Sequence, residues 1–407
     1  MKSASSDASR YFCLLDKNDF TLEYNDSDDD NIKYGISLVG FDIDNLKDNQ
    51  EKISLFSIEV CHKDLNAVKS KKNNFYVPYF RDRFFRNHMF AILTIEPDPS
   101  GDSYKYVAYG NEPISRLRIK SISFQQYKAP LFNNAKTALD IVNKMPLQIN
   151  EDVIHNYEND FSLKAYTVGQ GMCSLLCDGD VGYLLDAGAG TPITRKNYID
   201  KKIKNELSND IDKLNKLYLI LSHLDSDHFR IIRWDSTILS KIDTIFIPLN
   251  LKWVESNEKS ISGKVAAINK LSVTSKNFIL NAFRTEHYTS SAEKNDNELV
   301  THLVLNNNNI LYPGDYSYTK ITKDKNTEIS TLAELKYHLL LVPHHGDKDS
   351  QYKIPKPQND SSLAYFSAGD HKSWCHPNTE SLDEHKSLGY KNCVDNTNPD
   401  ITEIVKI

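Results

Sequence analysis

Two histidines and two aspartates stand within six positions of one another in this 407-residue chain, namely His223, Asp225, Asp227 and His228. They follow the apolar residues 217–221, which predict a buried strand. Imidazole and carboxylate groups suit zinc, and they also suit manganese or iron. Burying two acids this close together is costly without a counter-charge, because each raises the pKa of the other. The stretch therefore predicts a metal site at a strand end. The alternative is a turn in which one aspartate caps the next helix.

Three other apolar runs also end in ligand-type residues, which are Asp186, Asp315 and the adjacent pair His344 and His345. His376 follows a further strand-like run and precedes a segment at 379–388 that has a helical pattern. Ordinary turn residues do not explain so many strand ends that each carry such side chains. For His376 two roles are open, one as an acid or phosphate contact at the rim of the site and one as a helix cap.

The order of these motifs resembles the metallo-β-lactamase family, whose signature is usually His-x-His-x-Asp-His where this chain has His-x-Asp-x-Asp-His. The aspartate at the third position resembles the branch of that family found in the DNA-uptake protein ComEC. The resemblance covers roughly residues 161–407. The other segments that carry it are Val-Gly-Gln-Gly at 168–171, Leu-Asp-Ala-Gly at 185–188, Asn-Asp-Asn at 295–297, Pro-Gly-Asp at 313–315, Val-Pro-His-His-Gly at 342–346 and His-Pro at 376–377.

The chain departs from the family pattern at several places. Met172 replaces an aspartate of the opening motif, and Asp347 replaces a serine. Residues 229–231 are Phe-Arg-Ile instead of Ile-Gly-Gly, which indicates that substrate approaches this edge differently. Residues 295–297 stand where related enzymes carry a metal-binding histidine, so one ion is expected to have fewer protein ligands. His287 is close by in sequence, but a loop histidine is the simpler interpretation of it.

The resemblance implies an α/β fold, the αββα sandwich of metallo-β-lactamases, and two divalent ions, Zn2+ or Mn2+. Bridging by a carboxylate suits the chemistry, because two cations about 3.5–4 Å apart need a shared anion. The implied ligands are His223, Asp225 and one of His344 and His345 for the first ion, Asp227 and His228 for the second, and Asp315 as the bridge. Asp186 is expected to orient a ligand histidine. The predicted catalytic residues are Asp227, Asp186 and His376.

The first part of the chain carries no comparable cluster. Its strand-like runs predict a smaller β-rich domain at 1–158, before the metallohydrolase domain at 159–407. Two basic stretches, 79–86 and 116–120, are either nucleic-acid contacts or, more simply, charged faces of half-buried elements. We expect this domain to select the substrate or a protein partner. Further helices are predicted at 135–145, 195–216 and 253–271, the second with an active-site loop as its alternative.

Composition narrows the class of protein. No apolar run approaches the ~20 residues of a membrane helix, and the N-terminus lacks the apolar core of a signal peptide. We therefore predict a cytoplasmic protein without membrane contact. The six cysteines form no Cys-x-x-Cys pair and are expected to be free thiols. The net charge of -6 weakens a nuclease interpretation, because proteins that grip long nucleic acid show a basic surplus.

Three functions are compatible with these observations. The first is hydrolysis of a phosphodiester in DNA, RNA or a nucleotide by metal-activated water, within a multi-protein system such as defence against foreign DNA. The second is hydrolysis of another ester or an amide at the same centre, as in lactamases or peptidases of this fold. The third is a partner-dependent interaction protein with an idle site. We see no motif for a serine or cysteine nucleophile.

Overall fold

A computed structural model describes residues 8–15, 21–24, 33–43, 55–61, 64, 89–106, 114–126, 148–200, 203–249, 261, 263–286, 296–369, 375–395 and 398–407. The chain divides into two compact units. The first consists of Met1–Pro146 with Lys252–Ser262, and the second of Leu147–Leu251 with Gly263–Ile407.

Seven strands make up the first unit in the part of the chain that is described. They are β1 Ser9–Leu15, β2 Thr21–Tyr24, β3 Lys33–Asp42, β4 Leu55–Cys61, β5 Met89–Pro97, β6 Ser103–Tyr106 and β7 Ser115–Gln126. All their pairings are antiparallel, and β1 pairs with both β5 and β3. The path β1-β5-β7-β6-β4-β3 therefore returns to its start as a closed ring, and β2 adds to β3. Closure leaves the ring without the exposed edges of an open sheet.

Strand alternation fills this ring with apolar side chains. Tyr11 and Cys13 of β1 and Ile58 and Val60 of β4 belong to one buried cluster. On β7, the side chains of Arg118 and Lys120 instead face outwards and form ion pairs with Glu96 of β5. The basic stretch 116–120 is thus the charged face of a half-buried strand. The stretches 79–86 and 135–145 lie outside the described residues.

The second unit contains both strands and short helices. Its strands are β8 Gln148–Asn156, β9 Ser162–Tyr166, β10 Cys173–Cys177, β11 Val181–Ala187, β12 Lys216–Ile220, β13 Ile242–Pro248, β14 Val265–Thr274, β15 Phe278–Arg284, β16 Leu299–Leu305, β17 Asn308–Tyr312, β18 Lys336–Tyr337, β19 Leu339–Leu341, β20 Lys356–Pro357, β21 Leu363–Phe366, β22 Lys391–Val394 and β23 Glu403–Lys406. Its α-helices are α1 Arg195–Ile199, α2 Glu206–Asp212, α3 Arg230–Trp234, α4 Ser236–Lys241, α5 Tyr318–Ile321, α6 Thr327–Ser330 and α7 Thr379–Ser387. Short 3-10 turns cover Ser226–His228, Thr331–Glu334, Pro343–Gly346 and Lys348–Gln351.

One long sheet runs through this unit in the order β22-β21-β19-β17-β16-β15-β14-β13-β12-β11-β10-β9-β23, with β8 paired to β14. Two of its stretches are parallel. One comprises β11 to β14, and the other comprises β17, β19, β21 and β22. The carboxyl ends of neighbouring parallel strands lie at the same edge, where ligands usually bind in α/β proteins.

The two parallel stretches pack against each other around one apolar core, so the sheet folds back on itself. The shared cluster includes Leu185 and Ile220 from the first stretch and Tyr312 and Leu341 from the second. The Tyr312 hydroxyl also donates a hydrogen bond of 2.8 Å to the carbonyl of Leu185. Helices cover the outer faces, because α3 and α4 contact β11 and β13, while α5, α6 and α7 enclose a second apolar cluster. The layers are therefore helix, sheet, sheet and helix.

The helix predicted over 253–271 is wrong from residue 265 onwards, although Ile261 is helical. Val265–Thr274 form β14, which pairs with β13, β15 and β8. Ala266 and Ala267 favour a helix in isolation, but both are buried between neighbouring strands here. Sheet pairing and burial outweigh their helix propensity, which amounts to only some tenths of a kcal/mol per residue. The helix predicted at 379–388 is present as α7, and 195–216 contains α1 and α2.

No helix among the described residues combines the length and the apolar character that crossing a lipid bilayer requires.

Candidate metal centre

Four strand ends bring the predicted ligands together. Asp186 is the last residue but one of β11, and His223 follows β12. Asp315 follows β17, and His344 and His345 follow β19. The first two strands belong to one parallel stretch of the sheet and the last two to the other. Because the two stretches pack around a common core, their carboxyl ends meet.

Asp315 occupies the middle of the cluster, and its two carboxylate oxygens face different histidines. Oδ2 lies 3.5 Å from Nε2 of His223 and 3.8 Å from Nε2 of His344. Oδ1 lies 3.1 Å from Nε2 of His228 and 3.9 Å from Nε2 of His345. The carboxylate therefore stands between two histidine pairs, as a bridging ligand would.

Each histidine pair has one aspartate of the central motif beside it. Oδ2 of Asp225 lies 3.9 Å from Nε2 of His223. Oδ2 of Asp227 lies 3.1 Å from Nε2 of His345, and these two residues together with His228 offer three ligand atoms within 4.8 Å of one another. His223, His228 and Asp315 form a second such trio. His228 is common to both trios.

The separations fit ligands that share an ion. Two atoms that each lie ~2.1 Å from a tetrahedral zinc ion are roughly 3.4 Å apart. The closest pairs here are 3.1 Å for His228 with Asp315, 3.1 Å for His345 with Asp227 and 3.5 Å for His223 with Asp315. Nε2 of His223 is buried and makes no hydrogen bond with any described residue, so no protein group competes with a metal for this atom. The donor set thus fits divalent ions of the zinc or manganese type.

The four histidines share one orientation, because Nε2 faces the centre and Nδ1 faces an outer acceptor. The outer acceptors are the Asp186 carboxylate for His228, the Ser367 carbonyl for His345, the Asp347 carboxylate for His344 and the Ser222 hydroxyl for His223, at 2.8, 2.7, 3.0 and 3.1 Å. An Nδ1–H that is held in this way fixes the ring and leaves the Nε2 lone pair for a metal. This shared orientation is typical of metal-binding histidines.

Asp186 organises both histidines of the central motif. Its Oδ1 accepts the Ser222 N–H at 2.7 Å, and its Oδ2 accepts the Ser222 hydroxyl at 2.8 Å as well as Nδ1–H of His228. Ser222 Oγ in turn accepts from Nδ1–H of His223. Asp186 therefore positions one histidine directly and the other through Ser222. The backbone of Asp186 has a φ of 54°, a strained conformation of the kind that collects at functional sites.

Glu298 is a residue of the site that the sequence did not single out. It is fully buried, and its Oε2 accepts the N–H of Asp315 at 3.0 Å and lies 3.7 Å from Nδ1 of His223. Its Oε1 has no hydrogen-bond partner among the described residues. The signal that could have identified it is an acid directly after the Asn-Asp-Asn segment.

The two described residues of the Asn-Asp-Asn segment, Asp296 and Asn297, have partners outside the cluster. The carboxylate of Asp296 lies 2.8 Å from Nζ of Lys320, and Asn297 accepts a hydrogen bond of 3.2 Å from Arg284. Asn295 and His287 lie outside the described residues. Asp296 and Asn297 are therefore not ligands of the cluster, and the acid that joins it from this part of the chain is the next residue, Glu298.

Two glycines of the accompanying motifs allow the central loop to approach the sheet. A Cβ on Gly188 would lie 1.7 Å from the carbonyl oxygen of Asp227, and one on Gly171 would lie 2.7 Å from the same atom. The N–H of Met172, which replaces the aspartate of the family motif, donates to that carbonyl at 3.4 Å. The Gly-x-Gly and Asp-Ala-Gly elements are thus needed for backbone packing behind Asp227.

Arg230 stands where the family motif has glycine, and it braces the same loop. Its Nη1 donates to the carbonyl of Ala189 and its Nη2 to the hydroxyl of Ser226, each at 3.0 Å. The adjacent Phe229 is buried. These contacts connect the loop after β11 to the central motif.

The acids and histidines of the cluster shift the pKa of one another. Burial and His228 oppose protonation of His223, but Glu298 and Asp315 raise its pKa to about 9. Burial also opposes protonation of His344, yet the nearby carboxylates raise its pKa to about 10. Burial raises the pKa of Glu298 to about 8. The surrounding carboxylates therefore stabilise positive charge on His223 and His344, and a divalent cation would meet the same need.

His376 lies beside this cluster. Its ring centroid is 5.5 Å from that of His344 and 6.2 Å from that of His345. The Nε2 amide of Gln170 donates to its Nδ1 at 3.2 Å. Burial, with the two neighbouring histidines, lowers the pKa of His376 to about 4. The side chain of Asn378 caps α7, so the capping alternative does not apply to His376.

No family model and no curated protein matches this chain. Among solved structures, the metallo-beta-lactamase fold protein YhfI from Bacillus subtilis is similar, with 13% identity and a TM-score of 0.34 over 61% of this chain and 99% of that one. A protein of unknown function from Enterococcus faecalis V583 is similar at 14% identity and a TM-score of 0.27, over 44% of this chain and 49% of that one. At such TM-scores the two likenesses do not decide fold or function.

Proposed function

We propose that the second unit is a metal-dependent hydrolase of the metallo-β-lactamase type that cleaves a phosphodiester. The observation that carries this proposal is the arrangement around Asp315. Four histidines turn Nε2 towards one centre, and each holds Nδ1 on an outer acceptor. A structural polar network has no need for a common ring orientation around a shared carboxylate, whereas a pair of metal ions does.

The two oxygens of Asp315 divide the ligands into two groups. His223, His344 and Asp225 would hold one ion on the Oδ2 side. His228, His345 and Asp227 would hold the other on the Oδ1 side. Under this proposal both histidines of the adjacent pair are ligands, one for each ion, although the sequence assigned only one of them.

The bound ions would supply Lewis acidity and would lower the pKa of a coordinated water towards neutrality. The protein's own groups keep the ligands in place. Asp186 and Ser222 orient two histidines, and the Ser367 carbonyl and Asp347 orient the other two. The hydroxyl of Ser222 donates to Asp186, so it is engaged in this support and does not serve as a nucleophile.

A phosphodiester is proposed as substrate because the motif set resembles the ComEC-like branch. The net charge of -6 favours a nucleotide or a short strand over a long nucleic acid, since a long polyanion needs a basic surface. We further propose that the first unit, with its separate core, selects the substrate or a protein partner.

The test compares protein stripped with a chelator with protein reloaded with zinc or manganese. Substrates are bis(p-nitrophenyl) phosphate, a cyclic nucleotide, short single-stranded DNA and RNA, with p-nitrophenyl acetate and a chromogenic β-lactam as alternatives. We expect at least one equivalent of metal and metal-dependent cleavage of a phosphodiester. Asp315→Asn should lose both, and His302→Gln, which alters a histidine that contacts Asn309 instead, should retain both. Cleavage of only the ester or the lactam would replace the proposed substrate class, and protein that binds no metal would refute the proposal.

A further inference from the structure

His376 differs from the other four histidines in what its Nδ1 contacts. Each of those four has an acceptor or a hydroxyl at Nδ1, while His376 has the amide nitrogen of Gln170 at 3.2 Å. We infer that Gln170 is a positioning residue that fixes the Nε2–H tautomer of His376, so that this histidine donates a hydrogen bond to a phosphoryl oxygen of the substrate. The proposed contact of His376 with substrate rests on the proposed phosphodiesterase function. The proposed tautomer of His376 does not depend on that function.

The assignment follows from the chemistry of the two groups. An amide nitrogen has only protons to give, so Nδ1 of His376 accepts and the ring proton resides on Nε2. The contrast with His345 is direct, because the two rings lie 6.2 Å apart with an interplanar angle of 27°. His345 gives its Nδ1 proton to the Ser367 carbonyl at 2.7 Å. Nδ1 of His345 therefore carries a proton, whereas Nδ1 of the neighbouring His376 does not.

The amide orientation of Gln170 is supported by what the reverse would cost. As placed, its Oε1 is buried and has no hydrogen-bond partner among the described residues. Turning the amide over would pair Oε1 with Nδ1–H of His376 but would place the NH2 group, with its two donors, in that same buried position. An unpaired buried donor costs about 1–3 kcal/mol, and two of them cost more than one unpaired carbonyl oxygen.

The backbone holds Gln170 in place from several sides. Its N–H donates to the carbonyl of Thr191 at 3.0 Å. A Cβ on Gly190 would lie 1.9 Å from its carbonyl oxygen, so that glycine permits the contact. The carboxylate of Asp395 accepts the N–H of Gly169, the preceding residue, at 2.8 Å. These contacts hold the Gln170 backbone in one position, so its side-chain amide can determine which nitrogen of the half-buried His376 ring carries the proton.

His376 is also a direct neighbour of two residues of the proposed metal centre. Its ring lies against both His344 and His345, which the proposal assigns to different ions. With Nδ1 occupied by Gln170, the opposite ring nitrogen carries the proton. A hydrogen bond from that nitrogen to a phosphoryl oxygen stabilises charge as it develops and needs no proton transfer.

The first measurement is nitrogen NMR of protein labelled at histidine, which distinguishes Nδ1–H from Nε2–H, with His376→Gln used to assign the signal. In wild-type protein as purified and after zinc loading, we expect Nε2–H for His376. Finding the proton on Nδ1 would overturn the inference. This readout needs no substrate, so it decides the tautomer even if no phosphodiester is cleaved and the proposed function fails.

The second measurement is a double-mutant cycle on bis(p-nitrophenyl) phosphate. His376→Ala should lower kcat roughly 10²-fold, and Gln170→Met should lower it by a smaller factor with unchanged metal content. Gln170→Met should have no further effect in the His376→Ala background, because it acts through that ring. Gln351→Met is the control, since the one acceptor of that amide among the described residues is the carbonyl of Lys348. Equal losses from Gln170→Met in both backgrounds would show a general structural role and would refute the inference.

Discussion

The two units bury acids in different ways. In the first unit, Glu59 accepts a hydrogen bond from the Tyr106 hydroxyl at 2.6 Å, and Glu96 lies between Arg118 and Lys120. Each of these carboxylates has a donor or a cation of its own. In the second unit, the buried Asp315 is surrounded by histidines, and the peptide N–H that it contributes binds a further acid, Glu298.

This difference separates a structural network from a functional one. A buried acid with a dedicated partner completes a fold, although such a pair contributes little net stability. Several buried acids that share histidines leave negative charge that only a cation or protons can balance. Backbone strain follows the same division, because the non-glycine residues with positive φ in the described chain all belong to the second unit, with Asp186, His344 and His345 in the cluster.

His228→Ala should have the largest effect, because His228 belongs to both ligand trios. We expect the variant to fold, to lose most of its bound metal and to lose activity by more than about 10³-fold, because the substitution removes a metal ligand. Elemental analysis, circular dichroism and hydrolysis assays measure the three outcomes. Glu59→Gln in the first unit is the matched control and should retain its metal. Equal metal content in His228→Ala and wild type would show that the cluster of the second unit is a structural network, like the paired acids of the first unit.

The pH dependence of metal binding should be the next largest effect. The raised pKa values of His223 and His344, about 9 and about 10, mean that protons occupy these rings at neutral pH and must leave when a metal binds. Affinity for zinc should therefore rise between pH 7 and pH 9, by up to ~10-fold per pH unit for each proton displaced. Titration calorimetry in two buffers with different ionisation enthalpies counts the protons. A zinc affinity that stays constant between pH 7 and pH 9 would show that metal binding does not displace protons from His223 and His344.

The same shifts have a consequence for the metal-free protein. A histidine whose pKa is raised on folding stabilises the fold fully below its unfolded pKa of ~6.5, and this contribution is lost as pH rises through the folded value. The chelated protein should therefore lose stability between pH 7 and about pH 10, while the metal-loaded protein should lose less. Thermal unfolding at several pH values measures both. A chelated protein that becomes more stable over this range would show that the sign is wrong.

Asp227→Asn should have a smaller effect on stability. Its carboxylate is paired with His345 at 3.1 Å, and burial opposes its charge although His345 and His228 lower its pKa below the usual range. The amide should abolish hydrolysis and leave the metal-free fold within ~1 kcal/mol of wild type or slightly more stable, as is common when a functional acid is removed. Urea denaturation with chelator present gives the free energy of unfolding. A large destabilisation would place this residue among the structural acids.

Glu298→Gln should have the smallest effect on the fold and a selective one on the metal. An amide can still accept the N–H of Asp315, but it cannot ionise, as the carboxyl group 3.7 Å from Nδ1 of His223 does above its raised pKa of about 8. We expect zinc affinity to fall by about 10- to 100-fold, as for other groups that support a ligand, with the unfolding midpoint nearly unchanged. Glu96→Gln, a buried acid of the first unit, is the control. If both variants bind zinc like wild type, Glu298 belongs with the structural acids.

The sequence by itself determined which residue types stand at which strand ends. Apolar runs followed by Asp186, His223, Asp315 and the pair at 344 and 345 are local patterns, and in the structure these side chains meet. The helix predicted over 253–271 shows where local patterns fail. Val265–Thr274 is a strand because it pairs with three other strands, and the local sequence does not reveal that pairing.

Only the tertiary structure decided how the site is arranged. The parallel stretches that contain β12 and β17 are distant in sequence and meet because they enclose one core. That packing decides which oxygen of Asp315 faces which histidine, and it brings in Ser222, Glu298 and Gln170, whose types are ordinary in loops and strand ends. A sequence specifies local periodicity and composition, whereas distances of about 3 Å between side chains from different strands depend on how the whole core packs.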